Sequence, residues 1–177
     1  MQTKIIAIDT FYYSDKDAYS VGVLFNNWQD SKPQSIVSCH TTDFAPYIPG
    51  EFYKRELPCI LDLLSIVNLN EINTILLDGF VKLPDNKDGL GMHLWKKLGN
   101  IKISIVGLAK SKFKDCEKIA LPVFRGNCIS PMWVNTNQII SNEEAVSRIK
   151  QMHGNYRMPD LLKVLDRETK KFKEKGI

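Results

Sequence analysis

The sequence predicts a mixed α/β fold, with one sheet whose first three strands run antiparallel and helices packed on both of its faces. Three strand-like runs near the start are joined by short polar stretches that suit hairpins. From about residue 52, helical and strand-like patterns alternate, as in a sheet covered by helices. The chain has 177 residues, 44% hydrophobic and 25% charged, which suits a single domain over 1–177 with its own core.

Residues 4–8 are a short apolar run ending at Asp9, a buried strand delivering a carboxylate at its C-terminal end. Residues 18–28 and 34–41 read as the second and third strands. Pro46, Pro49 and Gly50 mark an ordered loop. Apolar residues at 57, 60, 61, 64 and 67 predict a helix over 52–67 despite Pro58 in an early turn. Residues 72–77 form a strand ending at Asp78-Gly79. A polar loop at 84–88 leads to a helix over 89–99, then strands over 101–108 and 131–135. Helices follow at 141–152 and 159–174, with Ser141 as N-cap and Glu144 completing a capping box.

No apolar run reaches the roughly 18 residues needed to span a bilayer. The first residues pass straight into a strand without a signal-peptide cleavage site. Cysteines 39, 59, 116 and 128 form no C-x-x-C pair and read as reduced thiols. The expectation is a cytoplasmic protein with no membrane and no protein partner implied. Net charge is +4, which permits nucleic acid without demanding it. Lys163, Arg167, Lys170, Lys171, Lys173 and Lys175 load the last helix with cations. This is either a solvated helix end or a phosphate contact. Trp28, Trp95 and Trp133 read as core or boundary aromatics, and His40 and His153 as incidental.

Active sites of open α/β sheets gather at the carboxyl ends of strands, where Asp9 and Asp78 stand. Either alone serves equally as a turn or capping residue. With Glu56 near a helix start and Asp166 on the last helix, four carboxylates on four elements would be hard oxygen ligands for magnesium or manganese, given convergence. Spacing alone does not prove convergence.

The motifs add more. Tyr47-Ile48-Pro49-Gly50, followed by Arg55-Glu56-Leu57-Pro58, resembles the signature of the endonuclease V family in residues and spacing. Leu76-Leu77-Asp78-Gly79, Gly91-Met92-His93-Leu94 and Ile105-Val106-Gly107-Leu108-Ala109-Lys110-Ser111 follow in the family's order. Ile8-Asp9 looks like its Val-Asp, and Arg157-Met158-Pro159-Asp160 with Asp166 like its C-terminal block. The resemblance implies a ribonuclease H-like fold and magnesium-dependent cleavage of DNA or RNA on the 3′ side of inosine, manganese substituting. It implies Asp9, Glu56, Asp78 and Asp166 as metal ligands, with Lys110 beside the scissile phosphate. Tyr47, with its flanking prolines Pro46 and Pro49, would be the wedge that fills the gap left by an everted base, and Ile48 would join it in binding nucleic acid. Gly50, Phe52 and Gly79 would line the base pocket, and His93 matches a histidine of the family.

The sequence also departs from the family. Leu83 and Asp85 stand where the loop after Asp-Gly has histidine and arginine, and the helical segment before the first strand is lacking. Other readings are therefore a structure-specific or RNA-directed nuclease, or a nucleic-acid-binding relative that no longer cuts.

Overall fold

The computed structural model describes residues 4–174. Lys175 and the side chain of Lys173, part of the basic tail, lie outside the described residues. In chain order the elements are β1 (Lys4–Tyr12), β2 (Ala18–Phe25), β3 (Ser35–Thr41), α1 (Phe52–Ser65), β4 (Ile72–Asp78), β5 (Lys82–Leu83), β6 (Lys87–Asp88), α2 (Leu90–Lys97), β7 (Ser104–Ala109), β8 (Leu121–Val123), β9 (Met132–Thr136), α3 (Asn142–Gln151) and α4 (Asp160–Glu174). Seven strands form one sheet in the order β3-β2-β1-β4-β7-β9-β8. β1, β2 and β3 are antiparallel, as expected; β1, β4 and β7 are mutually parallel; and β9 returns antiparallel.

Strand pleating sorts the core. Alternate residues face opposite sides, so Ile5, Ala7, Leu76, Val106 and Leu108 pack with Leu161, Leu162 and Leu165 of α4 and Ala145 and Ile149 of α3. Ile6, Ile8, Ile75, Leu77 and Ile105 pack with Leu57, Ile60, Leu63 and Leu64 of α1 and Leu94 of α2. The central strands are covered on both faces, which explains why they read as continuous apolar runs.

Several expectations change. β1 does not end at Asp9. It continues to Tyr12 because β2 pairs with it through Asp9↔Val21 to Tyr12↔Ala18. The pairing with β4 stops at Ile8↔Leu77, so Asp9 lies where one neighbour leaves and the other stays. The capping box is half formed. Ser141 accepts from the Glu144 N–H at 3.0 Å, but the Glu144 carboxylate pairs with Arg148 instead. β8 escaped the pattern because three residues around Pro122 carry no periodicity. The polar 84–88 loop is the turn and second strand of the β5–β6 hairpin, whose Asp85 and Asn86 both adopt left-handed backbone at φ 59° and 58°. Asp and Asn tolerate that conformation better than most residues, which gives Asp85 a conformational reason to replace a long basic side chain.

The segment after β4 is tightly held. A Cβ on Gly107 would lie 2.5 Å from the Gly79 carbonyl oxygen and 2.8 Å from the Val81 nitrogen. Glycine at 107 therefore lets this loop lie against β7. The Val81 N–H donates to Asn135 Oδ1 at 2.8 Å, and Asn135 Nδ2 donates to the Lys82 carbonyl at 2.9 Å. The Met92 N–H at the start of α2 donates to the Val81 carbonyl at 3.1 Å.

Candidate active site

By pleat parity Asp9 and Asp78 emerge on the α4 side of the sheet, next to one another because β1 and β4 are parallel neighbours. They line a cleft of about 380 Å³ with Lys110, just past the end of β7, and with Met158, Leu162, Lys163, Leu165 and Asp166. Its floor is Ala7, Ile8, Leu76, Leu77 and Leu108. Polar groups thus stand at the rim of an apolar trough, where charge interactions are stronger than in water.

Each group is oriented. Asp9 Oδ1 accepts from the Thr10 N–H at 2.9 Å, and Thr169 Oγ1 lies 3.5 Å from Asp9 Oδ2. The Lys110 ammonium donates to Asp78 Oδ2 at 2.6 Å. Asp166 accepts from Lys170, one helical turn on, at 2.7 Å. Arg157 donates to the carbonyls of Lys110 and Pro131, pinning the chain that carries Lys110.

Glu56 reaches the edge differently. It sits in the early turns of α1, in the layer on the opposite face, and does not line the cleft. It is only 6% exposed, and its Oε2 has no hydrogen-bond partner. Burial raises its pKa well above the ordinary value, and the fields of Asp9 and Asp78 push the same way. Asp9 rises to about 6, mainly by burial and then by Asp78, while Lys110 and the Thr10 N–H partly offset this. Burial by itself would lower the Lys110 pKa. The hydrogen bond to Asp78 and the fields of Asp78, Asp9 and Asp166 more than reverse it, so Lys110 is held charged.

These acids suit a hard divalent cation. An orphaned buried carboxylate oxygen, a neighbour forced toward its protonated form and a lysine drawn onto a third acid together describe uncompensated negative charge. The all-oxygen donor set fits magnesium or manganese. The side chains are not gathered into a finished shell. Among the described residues no three carboxylate, histidine or cysteine groups stand close enough to hold an ion together. Lys110 pairs with Asp78.

One consequence is measurable. Because the folded-state pKa of Asp9 is raised from 3.8 to about 6, its contribution to stability is complete below about pH 3.8. That contribution is lost as pH rises through about 6. Glu56 acts with the same sign. The acids with lowered values, such as Asp17, Asp30 and Asp160, act in the opposite sense and at lower pH. Metal-free protein is therefore expected to lose melting temperature between pH 5 and 7, with roughly 1.3 kcal/mol of stability lost from Asp9 in that window. Magnesium or manganese should restore it at pH 7.5. A melting temperature that is flat across this window in Asp9-containing protein would contradict the electrostatic picture.

The other expected site residues fall on two structures. Tyr47, Ile48, Pro49, Gly50 and Phe52 form an exposed ridge before and into α1. Tyr47 is 58% exposed and its ring meets Phe52 edge-on at 6.4 Å. The Glu51 N–H donates to the Ile48 carbonyl at 3.0 Å and Gly50 has φ 82°, a turn that the Pro-Gly pair sets. Arg55 Cζ stacks over Tyr12 at 4.1 Å and Phe44 at 5.4 Å, tying this loop to the β1–β2 turn. Gly79 follows Asp78 directly, at φ 126°. His93 is separate from these. It stacks on Tyr53 at 3.6 Å between α1 and α2, and burial lowers its pKa.

Sequence reasoning overlooked Thr169, Asn135 and Arg125. The three-residue spacing of Thr169 from Asp166 on one helix is a signal for the first. A polar residue closing the apolar run Met132-Trp133-Val134 is a signal for the second. Arg125 has no local signal, since its partners lie about thirty residues away.

No family model matches the chain. An endonuclease V of Nostoc punctiforme is 22% identical over 178 aligned positions, which cover 92% of this chain and 80% of that relative. The structure of Ciona intestinalis endonuclease V, in complex with a 24mer DNA containing an inosine followed by a ribo-adenosine, matches with a TM-score of 0.80 at 19% identity. The match covers 98% of this chain and 87% of that one. Human ENDOV matches with a TM-score of 0.79 at 18% identity, covering 99% and 86%. The fold is accordingly ribonuclease H-like. No helix among the described residues is long and apolar enough to cross a membrane. The ordered motifs, the relative aligned along nearly the whole chain and the shared fold agree: in sequence and in fold the chain is similar to endonuclease V proteins.

Proposed function

We propose that this chain is a divalent-metal-dependent endonuclease that hydrolyses a phosphodiester on the 3′ side of inosine in DNA or RNA. The observation that carries this is the cleft in which Asp9, Asp78 and Asp166 face Lys110 above an apolar floor. Asp9, Asp78 and Asp166 would hold magnesium, with manganese as a substitute, and Glu56, outside the cleft lining but near enough to feel the charges of Asp9 and Asp78, would turn toward the same ion. Bound there, the cation supplies Lewis-acid charge to the phosphate oxygens and acidifies a water. Lys110, held charged, orients a non-bridging oxygen once that phosphate competes with Asp78 for its ammonium. Thr10 and Thr169 keep Asp9 aimed into the cleft. The deciding experiment is cleavage of matched oligonucleotides with and without inosine, as DNA and as RNA, in magnesium and in manganese. No cut in any of them would sink the proposal.

A second reading, a structure-specific or RNA-directed nuclease, draws on Leu83 and Asp85. The hairpin carries a half-buried leucine and an acid at the positions of the family's histidine and arginine. Equal cleavage with and without inosine would select it.

Tyr47 separates the two. An exposed ring on a loop stiffened by Pro46, Pro49 and the 48–51 turn is presented with little ordering cost. Filling the gap left by an everted base returns about 1–3 kcal/mol of stacking. Tyr47→Ala is expected to weaken binding to an inosine duplex by about one to two decades. Undamaged duplex, bound through phosphates, should change little. Equal losses in paired titrations at one salt concentration would make Tyr47 a packing residue.

A further inference from the structure

A second exposed aromatic stands next to a residue that lines the cleft. Tyr156 is 69% exposed, yet the loop beneath it is firmly held. The buried Arg125 guanidinium donates to the carbonyls of Met152 at 2.5 Å, Gly154 at 2.8 Å, Tyr156 at 3.0 Å and Arg157 at 3.4 Å. A Cβ on Gly126 would lie 2.6 Å from the Asn155 carbonyl oxygen, so the two segments meet backbone to backbone. The ring is thus exposed on a fixed platform. The Lys163 ammonium lies 4.1 Å from its centroid, and the same Lys163 lines the cleft with Asp9, Asp78, Lys110 and Asp166. Between residues 150 and 163 the charged side chains are Lys150, Arg157 and Lys163 against a single acid, Asp160. Asp160 is already engaged by His153 at 2.8 Å and Lys163 at 3.0 Å.

A rigid exposed aromatic beside a cation, continuous with a phosphate-handling cleft, matches what an unpaired base and its phosphate need. Every base has a face to stack, and a pre-set ring loses little entropy in receiving it. A basic surround attracts the backbone. We propose that Tyr156 and Lys163 form a stacking subsite for an unpaired base of the nucleic-acid strand leaving the cleft, with Lys163 taking the adjacent phosphate. The proposal rests on the nuclease reading for its substrate class, but it is tested by binding alone.

The test is a titration of single-stranded oligothymidylates and oligouridylates of graded length, from about 4 to 12 nucleotides, at one salt concentration with EDTA to prevent cleavage. In the wild-type chain, affinity is expected to step up by about tenfold where the strand becomes long enough to reach from the cleft to Tyr156. Tyr156→Ala should lose the step, and Tyr156→Phe should keep it. Lys163→Gln, titrated in parallel with wild type over a series of salt concentrations, should lower the salt slope by about one. A step retained in Tyr156→Ala overturns the subsite, and so does a wild-type chain with no step, which would leave the exposed ring to a protein partner. A chain that shows the step yet cuts no oligonucleotide in magnesium would keep this inference and strike the nuclease reading.

Discussion

Asp78→Asn and Asp9→Asn are each expected to lower cleavage by about a thousandfold, on the order of 4 kcal/mol of transition-state stabilisation, while binding of the substrate strand is retained. Asparagine keeps the shape of the side chain and removes its charge. At position 78 it replaces the charged acceptor that holds Lys110 at 2.6 Å with a neutral amide, so both the cation ligand and the hold on the ammonium are weakened. At position 9 it removes a charge that burial already disfavours. Metal-free Asp9→Asn should therefore melt higher than wild type at pH 7.5, and its melting temperature should change less between pH 5 and 7. That readout distinguishes loss of chemistry from loss of fold. Affinity should not fall, because contacts to the strand come mainly from cations and backbone groups, and removing an acid near phosphate lessens repulsion. Single-turnover cleavage in magnesium beside a gel-shift titration measures both. Rates within a few-fold of wild type in either variant would refute the proposed role of that carboxylate.

Arg125→Met is expected to destabilise the protein by about 3 kcal/mol, measured by urea unfolding. Arg125 is 7% exposed, and its guanidinium serves four backbone carbonyls between Met152 and Arg157. Methionine fills the channel left by the stem but provides no donor, so these acceptors lose their partners. Lysine should rescue little, since a single ammonium cannot reach carbonyls arrayed around a planar fork. The damage should extend beyond stability. The same loop carries Arg157, which fastens the chain at Lys110, and Tyr156. A destabilisation below about 1 kcal/mol would mean that water replaces the guanidinium and that the loop holds without it.

The architecture was legible in the residues because the central strands announce themselves. Runs such as Ile5-Ile6-Ala7-Ile8 and Ile75-Leu76-Leu77 are apolar at every position, as strands covered on both faces must be. The regular spacing of Leu57, Ile60 and Leu64 marked α1. Short elements without periodicity, β8 and the β5–β6 hairpin, gave no such signal. The endpoint of β1 was misplaced because a polar residue looks like the end of a strand. Here Asp9 is polar while its backbone stays paired with β2.

The sequence by itself determined the elements with clear periodicity, the family motifs in order and the candidates Asp9, Glu56, Asp78, Lys110 and Asp166. Local chemistry sets these: side-chain periodicity decides which face is buried, and the Pro-Gly pair fixes a turn wherever it falls. Tertiary structure alone decided which candidates meet. The parallel pairing of β1 with β4 makes Asp9 and Asp78 neighbours, and the seat of α4 brings Asp166 and Thr169 to them. Glu56 it assigned to the opposite layer, as a buried and unpaired acid. Tyr156 it placed beside Lys163 through Arg125, whose partners are about thirty residues away in the chain. Burial and the fields of neighbouring charges depend on through-space distance. The raised pKa of Asp9 and the anchoring by Arg125 therefore exist only once the sheet and its helices have assembled.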